Sequence, residues 1–174
     1  MSRWKAVAAS LTVMVSAHLS AQQELSDVEM AHVAVTASLI DIRYAHLALA
    51  LSDHPGVREF AQTMIRDHEA VNAGVAALAA RLGVKAQDNA MSQSLLAGAA
   101  KTIEQLSRSR GAEFDRAYMT NELAYHQTVN GAVERQFLPN IQNAEVRKAF
   151  ADALQVFRGH ERHASALATS LGAR

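Results

Sequence analysis

Apolar side chains recur every three or four positions along most of the chain, which is the spacing of one face of an α-helix. The first such stripe lies between Ser26 and Ser52, with no internal proline or glycine. Ser26 and Glu29 form the capping-box pattern that marks the start of a helix. The stripe consists of Val33, Ala37, Ile40, Tyr44, Leu47 and Leu51. The first predicted helix therefore ends just before a turn that contains Pro55.

A second stripe follows this turn. Pro55 suits the first position of a helix, and Gly83 is a typical helix stop. The stripe consists of Val57, Phe60, Ala61, Met64, His68, Val71, Val75, Leu78 and Leu82. Because a short turn joins them, the first two predicted helices form an antiparallel hairpin.

The second half of the chain repeats this arrangement. A short connecting helix is predicted from about Ala90 to Ser107, a third long helix from about Ala112 to Phe137, and a fourth from Asn143 to Gly172. No stretch alternates convincingly between apolar and polar residues, so no sheet is predicted. The pattern predicts an all-α fold over residues 22–174, a four-helix bundle of two antiparallel hairpins with a short extra connecting helix.

The N-terminus has the pattern of a secretory signal peptide. Arg3 and Lys5 precede an apolar run of about a dozen residues, and small residues follow it. Cleavage is predicted after Ala17 or Ala21, so residues 1–21 are assigned to the signal peptide. No later segment is apolar enough to predict a transmembrane helix in the mature chain. We therefore expect a periplasmic or otherwise exported protein.

Composition and charge exclude several classes of site. The chain has no cysteine, so it has no disulfide, thiolate zinc site or iron–sulfur cluster. Its 17 basic residues balance its 17 acidic residues, which gives no electrostatic reason to expect nucleic-acid binding.

The candidate chemistry lies where polar residues interrupt the apolar stripes. Each long helix has one metal-capable side chain near the middle of its apolar face: Asp41, His68, His126 and His160. A buried polar group is costly unless a partner satisfies it. Three imidazoles and one carboxylate are compatible ligands for one divalent cation.

Counting residues from the turns tests whether these side chains lie at one level. Asp41 and His68 are equidistant from the first turn, whereas His126 and His160 are offset by about four residues, or ~6 Å. The offset brings in further candidates for a second metal position or for side chains that orient the ligands: Asp67, Glu122 and His163.

Two other interpretations remain open at this point. The same four residues could form a metal-free buried Asp–His hydrogen-bond network. A redox or oxygen-using enzyme is a further alternative, although the chain lacks the two Glu-x-x-His pairs of di-iron carboxylate bundles. It also lacks a Gly-x-Ser-x-Gly elbow and a His-Glu-x-x-His motif, so the sequence leaves enzymatic activity undecided.

Three motifs resemble a bacterial exported family, the domain-of-unknown-function family four-one-four-two. They are VREFAQTMIRDH at 57–68, GAEFDRAY at 111–118 and AYHQ at 124–127. The resemblance covers about Ser26 to Leu171 and implies a ferritin-like four-helix bundle of the cell envelope, with no established activity. Members are often labelled outer-membrane proteins, which fits poorly with a chain that has no lipidation cysteine.

The family pattern has histidines that match His68, His126 and His160, and usually has Glu where this chain has Asp41. Because each long helix has one metal-capable side chain on its apolar face, we expect an exported bundle that binds a divalent transition metal (Zn, Fe, Mn or Cu) for metal binding or buffering. The alternative expectation is a metal-free structural or stress-related interaction protein of the cell envelope. The metal ion is the only partner that the sequence predicts.

Overall fold

A computed structural model describes residues 24–172, and the predicted signal peptide lies outside these described residues. The helices are α1 (Asp27–Leu51), α2 (Pro55–Leu82), α3 (Ala90–Leu106), α4 (Gly111–Ala132) and α5 (Ala144–Ser170). A π-helical segment, Val133–Phe137, continues α4. The described part of the chain contains no strand, which confirms the predicted all-α bundle and its connecting helix, α3.

Local sequence signals set the helix ends. The amide of Ser26 donates to Oε2 of Glu29 at 2.9 Å, which completes the predicted capping box of α1. Pro55 occupies the first turn of α2, and Gly83 ends that helix with a positive φ of 67°. The side chain of Asn143 accepts from the amides of the first turn of α5. These caps satisfy amides that have no partner within the helix.

Two side-chain contacts hold the two ends of the bundle together. At one end, Ser52 in the α1–α2 turn donates its hydroxyl proton to the buried carboxylate of Asp115 on α4. At the other end, the carboxylate of Asp27 accepts from the amides of Gln142 and Asn143 at 2.9 and 2.7 Å. The two hairpins are therefore fixed against each other at both turns.

The apolar core is divided into two clusters. The proximal cluster, near the α1–α2 turn, includes Ile40, Tyr44, Val57, Phe60, Ala61, Met64, Phe114, Tyr118, Met119, Ala164 and Ala168. The distal cluster, near the α4–α5 turn, consists of Met30, Val33, Val133, Phe137, Ile141, Phe150 and Leu154. On α5, and on α4 with its π-helical continuation, a buried histidine lies between residues of the two clusters. On α2, His68 follows the last buried residue of the proximal cluster. A polar layer therefore lies between two apolar ones.

Helix α1 also has the length and composition of a membrane span. Its most apolar 18-residue window has a mean hydropathy of 1.3, and half of that window is buried inside the bundle. This finding differs from the expectation that no segment after the signal peptide is so apolar. A core helix has the same composition, because its buried face and its alanines raise the mean hydropathy.

Candidate metal centre

The structure brings the four predicted ligands together. Asp41 on α1, His68 on α2, His126 on α4 and His160 on α5 are all buried, with at most 5% of each residue exposed. The three imidazole centroids lie 5.5 to 6.0 Å apart. One ring nitrogen from each histidine lies within 4.8 Å of one from each of the others. The fold therefore makes one cluster from four distant positions.

Residue counting predicted an offset of about four residues between His126 and His160, but the two side chains meet in the structure. Their ring centroids lie 5.5 Å apart, and both histidines belong to the same cluster. The offset therefore does not separate the two predicted ligands.

A neighbouring group fixes one nitrogen of His68. Its Nδ1 lies 2.9 Å from Oγ of Ser38, and that hydroxyl donates its own proton to the backbone oxygen of His68 at 3.4 Å. Nδ1 of His68 is therefore held by an oxygen. Its other ring nitrogen, Nε2, is buried and has no hydrogen-bond partner.

The same logic applies to the other two rings. Nδ1 of His126 donates to the backbone oxygen of Glu122 at 2.9 Å, which leaves the lone pair on Nε2. Nε2 of His160 donates to Oδ2 of Asp67 at 2.9 Å, which leaves the lone pair on Nδ1. Both remaining nitrogens are buried without a hydrogen-bond partner. A ligating histidine whose second nitrogen is held by an oxygen is the usual arrangement in metal sites.

Asp41 adds a buried anion to these lone pairs. Its Oδ2 lies 2.8 Å from Nε2 of His68 and 3.3 Å from Nε2 of His126. Neither contact has hydrogen-bond geometry, so both carboxylate oxygens lack a partner. Burial by itself raises the pKa of Asp41, but the adjacent imidazoles of His68 and His126 outweigh it and hold that pKa at about 2. The carboxyl is therefore ionised at neutral pH.

The histidines around this anion are electrostatically suited to bind a cation. Burial lowers the pKa of His126, although the charge of Asp41 opposes the shift. Burial also lowers the pKa of His160 to about 4, although the hydrogen bond that His160 donates to Asp67 opposes the shift. Both rings are therefore neutral at pH 7, as metal ligands must be.

Glu122 forms a second group with two of the same side chains. Asp41, Glu122 and His126 each offer an atom within 4.8 Å of the other two. Glu122 is fully buried, and neither of its carboxyl oxygens has a hydrogen-bond partner. Burial, and then the negative charge of Asp41, raises the pKa of Glu122 well above its usual value. Glu122 therefore holds a proton more readily than Asp41 does beside it.

The remaining candidates, Asp67 and His163, lie in different surroundings. Asp67 is a quarter exposed and accepts hydrogen bonds from His160 and, at 2.8 Å, from Nε of Arg66. His163 is exposed, its ring centroid is 5.2 Å from that of Phe60, and it belongs to neither group. Asp67 thus holds a ring of the cluster, whereas His163 lies outside it.

Two residues that contact His68 were missed by the sequence analysis. Ser38 lies three positions before Asp41, so both face the same side of α1. Phe157 stacks on the ring of His68, with centroids 4.5 Å apart and planes 10° apart. The spacing of Ser38 is a usable signal but a weak one, because serine occurs on both buried and exposed faces of helices.

Comparisons with known proteins identify a family for this chain. No curated protein and no solved structure matches the chain significantly. The model of one family matches residues 12–167, which includes every residue of both side-chain groups. It is the family that the three sequence motifs resemble. The chain belongs to the family described as Domain of unknown function (DUF4142).

Proposed function

We propose that this protein is exported and binds one divalent transition metal through Asp41, His68, His126 and His160, for metal binding or buffering in the cell envelope. One observation carries the proposal: each of the three rings has its outward nitrogen held by an oxygen and its other nitrogen buried without a partner. A carboxylate that also lacks a partner lies against two of these nitrogens.

The donor chemistry supports a transition metal rather than calcium or magnesium. Imidazole nitrogens suit zinc, copper, iron and nickel, whereas calcium and magnesium prefer oxygen ligands. Ligands at about 2 Å from zinc in a tetrahedral site lie ~3.3 Å from one another. The 3.3 Å between Oδ2 of Asp41 and Nε2 of His126 already has this value. Oδ2 of Asp41 lies only 2.8 Å from Nε2 of His68, so a metal requires that pair to move apart.

Metal analysis of the purified protein tests the proposal. We expect about one equivalent of metal in the protein isolated from its native source, and a higher melting temperature with zinc, copper, iron or manganese. His68→Ala and His126→Ala should each lose the bound metal, because each removes a buried ligand. His46→Ala is the matched control, since His46 is exposed on the same bundle and should leave the metal content unchanged.

Two results would overturn the proposal. One is native-source protein with no stoichiometric metal and no thermal shift with any of the four ions. The other is a bound metal that remains after both core substitutions but is lost with His46→Ala.

Export is tested separately, by the mass of the mature chain. The protein from the envelope fraction should begin at His18 or Gln22, depending on which predicted cleavage site is used. A cytoplasmic chain that retains Met1 to Ala17 would contradict export without affecting the metal site.

A metal-free structural role is the second candidate, and the contact between His68 and Asp41 favours it. At 2.8 Å, Nε2 of His68 and Oδ2 of Asp41 lie close enough to form a buried pair that joins α1 to α2. Removing one partner of such a pair is strongly destabilising. Under this alternative a chelator leaves the melting temperature unchanged, whereas under the metal proposal it lowers it.

A further inference from the structure

A narrow cavity lies directly against the candidate metal centre, on its distal side. Its volume is about 50 Å³, several times the space that one water molecule needs, and its lining includes Asp41, His68 and His126. All four long helices contribute to its walls. The cavity therefore reaches the polar layer from one apolar half of the bundle.

The walls of this cavity differ chemically from its floor, the end that Asp41, His68 and His126 line. Away from the three polar side chains, the lining is mostly alanine, valine and phenylalanine side chains, such as Ala34, Val75 and Ala153. Apolar walls exclude ions, because a charge that leaves water without a partner is strongly destabilised. The cavity is thus suited to an uncharged molecule rather than to the metal ion itself.

A second apolar cavity lies next to the first, toward the end of the bundle. Its volume is about 60 Å³, and it shares Val75, Ala149 and Phe150 with the first. Its far wall includes Leu82 and Val84, beside the exposed segment that follows α2. The two cavities therefore lie side by side between the end of the bundle and the histidines, with a shared wall.

We propose that this cavity is a binding chamber for an uncharged molecule of two or three atoms, with the size and polarity of dioxygen, beside Asp41, His68 and His126. The volume fits so small a molecule, the apolar walls favour a neutral one, and the unpartnered polar atoms of the three side chains lie at one end. The chamber exists in the chain without metal, so the inference goes beyond the proposed function and does not depend on it.

Water is the competing occupant. Asn72 and Asn130 also line the cavity, and the side-chain oxygen of each is buried without a hydrogen-bond partner. A buried water typically makes about three hydrogen bonds, and these two oxygens are the main acceptors away from the floor. The test must therefore distinguish an apolar occupant from ordered water.

Xenon-pressurised crystals of the metal-free protein provide this test, since apolar cavities bind xenon. We expect xenon between Val75, Ala149 and the histidines. Ala149→Phe should abolish this binding because the larger side chain fills the wall that both cavities share. Ala166→Phe is the control: Ala166 is exposed on the same helix, and this variant should bind xenon like the parent.

Three results would overturn the chamber: no xenon in the cavity of the parent protein, ordered waters there that xenon does not displace, or undiminished xenon in folded Ala149→Phe. If Ala149→Phe does not fold, the parent crystals decide the question alone. Because no metal is present, the outcome is separate from that of the metal analysis.

Discussion

The two apolar clusters differ in how completely they are packed. In the proximal cluster, Phe60, Met64, Phe114, Tyr118 and Met119 are all fully buried. In the distal cluster, residues such as Phe137, Phe150 and Val133 retain 4 to 7% exposure. The two apolar cavities on the distal side of the candidate site are bordered by distal residues and by none of the buried proximal ones.

The two clusters on either side of the polar layer therefore differ in what they contribute to the protein. A void has no atoms on one side, so the residues that line it lose dispersion contacts that a filled core provides. The proximal half therefore supplies most of the packing energy that holds four buried polar side chains in place. The distal half has less packing energy because of its cavities, and one of these cavities lies directly beside the polar side chains.

The largest expected effect separates the two halves by stability. Phe60→Ala should lower the free energy of unfolding by about 3–5 kcal/mol, the usual cost of truncating a fully buried phenylalanine. Phe150→Ala should cost at least ~1 kcal/mol less, because Phe150 already borders both cavities. Urea denaturation of the two variants measures the difference. Equal losses would contradict the comparison.

The next effect concerns Glu122, a buried carboxyl group that lies beside Asp41 in the polar layer. The pKa of Glu122 is raised in the folded chain, so above about pH 4.5 the unfolded chain releases a proton that the folded chain keeps. This group therefore lowers stability as pH rises, by up to ~1.4 kcal/mol per pH unit, until the folded pKa is reached. Glu122→Gln removes this loss, because the amide resembles the neutral acid and does not titrate.

Urea denaturation of metal-free protein at several pH values checks this prediction. Relative to the parent, Glu122→Gln should gain stability as the pH rises above about 4.5, until the folded pKa of Glu122 is reached. The titration of His126 and His160 contributes to both proteins and cancels in the difference. A difference that is constant with pH would show that Glu122 is already ionised in the folded protein.

The smallest effect compares the hydroxyl contacts at the two ends of the bundle. Ser52→Ala removes the donor to the buried carboxylate of Asp115 and should cost about 1–3 kcal/mol, because it leaves a buried acceptor unpaired. Ser26→Ala removes only a helix cap of α1 and should cost ~1 kcal/mol. Thermal denaturation of both variants gives the order, and a larger loss for Ser26→Ala would reverse it.

Most of the fold could be predicted from the chain because its signals are local. The capping box at Ser26, the proline at position 55 and the left-handed Gly83 each act within one helical turn. Their positions therefore gave helix ends that the structure confirms. The π-helical segment after α4 was not predicted, since no residue in Val133–Phe137 distinguishes it from an ordinary helix.

The candidate site was predicted only as a set of residues. Asp41, His68, His126 and His160 are conspicuous because each interrupts an apolar stripe, and burial of a polar group demands a partner. The sequence also named Asp67 and Glu122, which lie beside the cluster, and His163, which lies outside it. Closeness to a predicted ligand along the helix surface does not tell a residue that contacts the cluster from one that lies outside it.

The amino-acid sequence by itself determined the helices, the hairpins and the identity of the buried polar side chains, because each depends on neighbours within a few residues. Only the tertiary structure decided which nitrogen of each ring is free and what lies beside it. Ser38 and His68 are on different helices, as are Asp67 and His160, so each contact depends on how two helices are aligned. That alignment is set by packing across the whole bundle, which no short stretch of sequence encodes.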